Sequence, residues 1–164
     1  MSATSLIAEA QAAGVHLSLL GRDRITWACE TDPPPGLIDR IRAAKGAVLA
    51  ALEVEEAKHW RTFFEERAAI REYDGGLTRP DAEAGALQDA IAHWLARNPL
   101  SPGVPEDGCI HCAGALPVDY RVAVLAGSGH AWLHPTCMPE MNEARLALAR
   151  REVHRLLGLS EAAV

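Results

Sequence analysis

Two short motifs, Cys109-Ile110-His111-Cys112 and His134-Pro135-Thr136-Cys137, decide how this chain is read. The first is a C-x-x-C pair, whose spacing lets one tight turn aim two thiolates at a single ion. The second repeats that spacing as H-x-x-C. Cys109, Cys112, His134 and Cys137 thus supply three thiolates and one imidazole, a complete tetrahedral set for one Zn2+. Because the protein furnishes all four positions, none stays open for water, and the ion is expected to be structural rather than catalytic. Gly108 before the first pair and Ala113-Gly114 after it are small, as a knuckle needs where backbone amides approach sulfur. A redox dithiol is the alternative for an isolated C-x-x-C, but such a pair has no need of a matched H-x-x-C downstream. His111 and His130 are spare candidates, read as solvent-facing or supporting histidines.

Between the motifs the chain reads as a β-hairpin. Tyr120 to Leu125 is β-branched and apolar, Gly127-Ser128-Gly129 is turn sequence, and Ala131-Trp132-Leu133 returns. Knuckle, hairpin and ligands at a helix start form an order that resembles treble-clef zinc fingers. A final helix from about Pro139 to Leu157 follows, with Leu146, Ala149, Val153, Leu156 and Leu157 on its apolar stripe and Gly158 as its stop. Arg145, Arg150, Arg151 and Arg155 crowd this helix with Glu140, Glu143 and Glu152 interleaved. They form the one local basic concentration of the chain, read either as a solvated face with i,i+4 pairs or as a nucleic-acid contact.

Outward from this site, 164 residues, 49% hydrophobic with only 5% aromatic, describe a chain with room for one or two small domains built on aliphatic cores. The net charge of −6 weighs against non-specific nucleic-acid binding. The start has no basic signal-like region, and no apolar run approaches the roughly eighteen residues of a membrane span, so no membrane role is expected. With three of the four cysteines assigned to metal and only Cys29 left over, a reducing, cytoplasmic setting is expected.

At the front, Ser5 to Ala13 reads as a short helix with Thr4 or Ser5 as cap and Gly14 as stop. Val15–Leu20 and Arg24–Cys29 alternate as two strands about a turn at Gly21-Arg22-Asp23. Three prolines, Pro33 to Pro35, break the chain, and a helix resumes at Gly36 with Leu37, Ile38, Ile41, Ala44, Val48, Leu49 and Leu52 at helical spacing. The order A-x-G-V-x-L, hairpin, proline break and L-I-x-x-I-x-x-x-K-x-x-x-L resembles the TubC N-terminal docking domain over residues 1 to about 52. That resemblance implies that the hairpin receives a short segment of another protein, that Leu17, Leu19, Ile25 and Trp27 form partner-facing or core surfaces, and that the module can form a homodimer. No synthetase domain follows here, unlike in that family. Trp27 separates the two readings of the module: buried, it indicates a plain cap; exposed, a binding surface.

Residues 53 to 98 read as a helical hairpin. Trp60, Phe63, Phe64 and Ile70 mark its first helix, and Leu87, Ile91, Trp94 and Leu95 its second. Lys58 and five arginines stand against ten carboxylates in this section, which argues for a solvated face over a DNA-reading helix-turn-helix. Three prolines and two glycines between Asn98 and Gly108 make residues 99–108 a linker. The section W-R-T-F-F-E-E-R-A-A-I-R-E-Y-D-G-G-L together with H-A-W-L-H-P-T-C is similar to a group of alphaproteobacterial proteins of unassigned function.

The expected fold class is α+β: an αββα module over residues 1–52, a helical hairpin over 53–98, the linker, and a zinc-stapled treble clef over 109–164. The sequence holds no P-loop, no G-x-S-x-G and no H-E-x-x-H. A nuclease site of the His-Asn-His type could take His130 as base, but Asn142 and His154 on the helix lack the matching carboxylate and histidine. The reading is a non-enzymatic zinc-binding adaptor that docks another protein. The alternative is a nucleic-acid-binding accessory or regulatory protein using Arg145, Arg150, Arg151 and Arg155.

Overall fold

The computed structural model describes residues 2–20, 23–100, 108–117, 119–126 and 129–160. Much of the expected linker, and the turn residues Gly21, Arg22, Gly127 and Ser128, lie outside the described residues. Among the described residues, mixed helix and sheet is observed: five α-helices and two small antiparallel hairpins. The chain forms two compact units, Met1–His59 and Trp60–Val164. None of the described helices is long and apolar enough to cross a membrane.

In the first unit, α1 (Ala3–Ala12) is followed by β1 (His16–Leu20), β2 (Arg24–Ala28), α2 (Leu37–Ala43) and the opening turns of α3 (Lys45–Tyr73). The cap of α1 is Ser2, whose hydroxyl accepts from the Ser5 amide at 3.1 Å, and not Thr4 or Ser5 as expected. Gly14, at φ +72°, ends the helix. Strands β1 and β2 pair with Leu17 opposite Trp27 and Leu19 opposite Ile25. The sheet face that carries them looks inward for Leu17, Ile25 and Cys29, which pack on a core of Leu6, Ala10, Val15, Leu37, Ile41 and Val48. The single helix expected from Gly36 is divided at Ala44, two residues before Gly46, a residue of low helix propensity. Helix α3 then runs through residue 52 without interruption. Arg40 on α2 forms a bidentate pair with Glu9 on α1, tying the two helices together.

In the second unit the end of α3 and α4 (Arg79–Arg97) make the helical hairpin. Thr78 caps α4, its hydroxyl accepting from the Asp81 amide, and Pro80 sits in the first turn. Asp89 on α4 accepts from Arg67 Nε and from Arg71 at 2.8 Å each, bridging the two helices. Gly85 makes room for this bridge: a Cβ there would lie 2.9 Å from the Arg71 guanidinium. After β3 (Val122–Ala126), β4 (Gly129–Leu133) and a 3-10 turn (Pro135–Cys137), α5 (Met138–Leu157) closes the chain. Ala149, Val153 and Leu156 of α5 share one core with Trp60, Ala90 and Ile91, so three helices bury each other's apolar stripes. A smaller core of Cys109, Leu116, Leu133 and Met141 sits between the knuckle, the hairpin and the first turn of α5.

Candidate metal centre

The knuckle is built by backbone hydrogen bonds. Ala113 N donates to Cys109 O at 2.8 Å and Cys109 N to Gly114 O at 2.9 Å, curling residues 109–114 so that both thiols face one point. Ala113 adopts φ +57°, the left-handed conformation that such a turn demands. At Gly114 a Cβ would stand 3.3 Å from Cys112 Sγ and 3.6 Å from the His134 ring. The knuckle is fastened to β4 by Ile110 N donating to Trp132 O at 2.9 Å, with Cys109 bridged to Trp132. His134 and Cys137 flank the 3-10 turn that leads into α5, and Cys137 N donates to His134 O. The second pair therefore stands at a helix start.

Cys109, Cys112, His134 and Cys137 bring their ligand atoms within 4.8 Å of one another, and one metal ion could bind all four. His134 Nδ1 lies 3.4 Å from Cys112 Sγ and 3.8 Å from Cys137 Sγ. Its other nitrogen, Nε2, donates to the Ala115 carbonyl at 3.0 Å. That bond places the proton on Nε2 and turns the Nδ1 lone pair toward the sulfurs, the arrangement a metal requires of histidine. Local spacing could not have indicated Ala115, because the bond spans nineteen residues of chain.

Electrostatics point the same way. Burial pushes the Cys109 thiol up, but backbone groups of Cys112, His134 and His111 hydrogen-bond to it and outweigh burial, bringing it from 9.0 to about 6. Cys137 is raised from 9.0 to about 11, first by burial and then by hydrogen bonding and charge from its neighbours Cys112 and Cys109. Three thiols so close cannot all ionise unless a cation joins them, and a bound metal would invert that balance. His111 Nε2 sits 3.3 Å from Glu140 on α5, outside the ligand group. His130 is exposed on β4 opposite Leu125.

On the N-terminal hairpin, Leu17, Leu19 and Ile25 are half-buried whereas Trp27 is 44% exposed. Ile25 and Trp27 open onto a groove of about 320 Å³ floored by Ile38 and Ile41 and rimmed by Arg24, Arg42 and Lys45. The four arginines of α5 do not act alike. Arg145 donates to the carbonyls of Leu95 and Asn98 at 2.9 and 3.0 Å, holding the end of α4, and Arg155 pairs with Glu152. Arg150 and Arg151 are exposed and, among the described residues, without an ion-pair partner. No protein-family model matches the chain, and no curated protein or solved structure is detectably similar to it.

Proposed function

We propose that the chain is a non-enzymatic adaptor that carries one structural zinc ion and docks another protein through its N-terminal hairpin. For the metal, the support is donor chemistry and distance. Zinc–sulfur bonds of about 2.3 Å and zinc–nitrogen bonds of about 2.0 Å in a tetrahedron put sulfur and nitrogen about 3.5 Å apart. The two sulfur–nitrogen distances here, 3.4 and 3.8 Å, bracket that value. Three thiolates favour zinc over the harder divalent ions. Knuckle, hairpin and helix in that order fit a treble clef stapled by the ion. No position stays open for a reacting water, which supports a structural and non-enzymatic role.

For docking, the carrying observation is Trp27, an aromatic ring 44% exposed beside an apolar groove. Large rings left at a surface with apolar neighbours are the anchors of protein interfaces. The hairpin has only two strands, and the outer edge of a two-stranded sheet can receive an added strand from a partner. Immobilised full-length protein is expected to retain its protein partner through a high-salt wash and to lose it with Trp27→Ala at unchanged melting temperature. Equal retention by the variant refutes docking through this hairpin. Elemental analysis of the purified chain is expected to give one zinc per molecule.

A further inference from the structure

The cleft between α4 and α5 has no part in either the metal centre or the hairpin, and it has the make-up of a ligand site. It is an open cleft of about 450 Å³, a volume in the range of small-molecule sites. Helix α4 contributes Leu87, Gln88 and Ile91, and α5 contributes Ala147, Arg150, Arg151 and His154. The α5 residues stand at i, i+3, i+4 and i+7, so one helical face presents both arginines to the same space.

Two independent features mark this cleft. Arg150 and Arg151 are the two α5 arginines that the fold leaves unpaired among the described residues, and both line it. His154, only 7% exposed, forms part of its wall, and its Nδ1 has no hydrogen-bond partner. A buried polar atom without a partner is uncommon, and it leaves the wall of this cleft with an unmet hydrogen-bond requirement.

We infer that the α4–α5 cleft binds a small organic anion, its phosphate or carboxylate on Arg150 and Arg151 and its apolar body against Leu87, Ile91 and Ala147. Guanidinium groups match the planar and tetrahedral oxyanions with paired donors. The apolar side of the cleft distinguishes such a ligand from a bare ion. The two arginines of this cleft, on a chain of net charge −6, are too few for the basic stripe that a nucleic-acid backbone requires.

The test uses 15N-labelled full-length protein purified in the presence of zinc and titrated with phenyl phosphate. Saturable shifts are expected at the amides of Gln88, Ile91 and Arg151 and at the His154 ring. Arg150→Ala with Arg151→Ala is expected to weaken binding by about tenfold or more, while Arg155→Ala leaves it unchanged. Both arginines are exposed, so the double variant keeps the fold, which its spectrum verifies. Unchanged affinity in the double variant, equal binding of phenol, or equal binding of inorganic phosphate overturns the inference. So does a short DNA duplex that shifts the same amides at a lower phosphate concentration than phenyl phosphate does.

Discussion

Replacing Cys112 by serine separates the contribution of a metal from that of packing, because Cys112 is the exposed member of the ligand set. An exposed side chain exchanged for one of nearly the same shape costs about 0.5 kcal/mol or less. In the presence of a chelator, Cys112→Ser is therefore expected to match the parent protein. With zinc supplied, the variant loses one of four bonds to an ion that contributes on the order of 10 kcal/mol to folding of a small module. A deficit of several kcal/mol should then appear, confined to residues 108–137 and the first turn of α5. Among the described residues the core cluster of that region is small, made of Cys109, Leu116, Leu133 and Met141, too few side chains to hold it without the ion. Hydrogen exchange read peptide by peptide, with and without chelator, measures the local deficit. His111→Ala, which removes a histidine of the same knuckle outside the ligand group, serves as the control and should leave the zinc-dependent protection intact. A Cys112→Ser effect that is the same with and without chelator, or a His111→Ala effect equal to it, refutes the assignment.

With zinc supplied, Cys109→Ser is expected to cost about 1–3 kcal/mol more than Cys112→Ser, because Cys109 is fully buried and its replacement loses packing as well as a metal bond; chemical denaturation in zinc measures the difference. Trp60→Ala removes a ring 1% exposed at the centre of the three-helix core and should cost about 3–5 kcal/mol, read as a fall in the denaturant midpoint. Asp89 accepts from Arg71 and Arg67, and these bonds hold its carboxyl below the ordinary 3.8. A carboxyl depressed in the folded state stabilises fully above its ordinary value and loses that contribution as pH falls through it. Melting temperature should drop on acidification below about pH 4 less steeply in Asp89→Asn than in the parent. At neutral pH the same variant should cost about 1 kcal/mol, since the pair is partly solvated.

The Cys109, Cys112, His134 and Cys137 cluster and the start of α4 were legible in the sequence because their physics is short-ranged. C-x-x-C and H-x-x-C carry their geometry within four residues, and Thr78 before Pro80 announces a helix start without reference to the rest of the chain. The hairpin strands were legible from their alternation. The first cap was misplaced because Ser2, Thr4 and Ser5 are all competent, and the choice among them depends on which turns place Leu6 and Ala10 in the core. The division at Ala44 was likewise hidden, since the apolar spacing of residues 37–52 suits one helix as well as two.

What only the tertiary structure decided is how equivalent residues are used. Four arginines on one helix are the same in sequence, yet Arg145 is spent on the carbonyls that end α4, Arg155 on Glu152, and Arg150 and Arg151 remain available. Likewise, the sequence determined that His134 could ligate a metal, but the Ala115 carbonyl that sets its tautomer comes from across the knuckle. Local spacing determines which atoms can meet within a turn. Which of them find partners depends on helices and loops brought together by burial, and that pairing is a property of the packed chain.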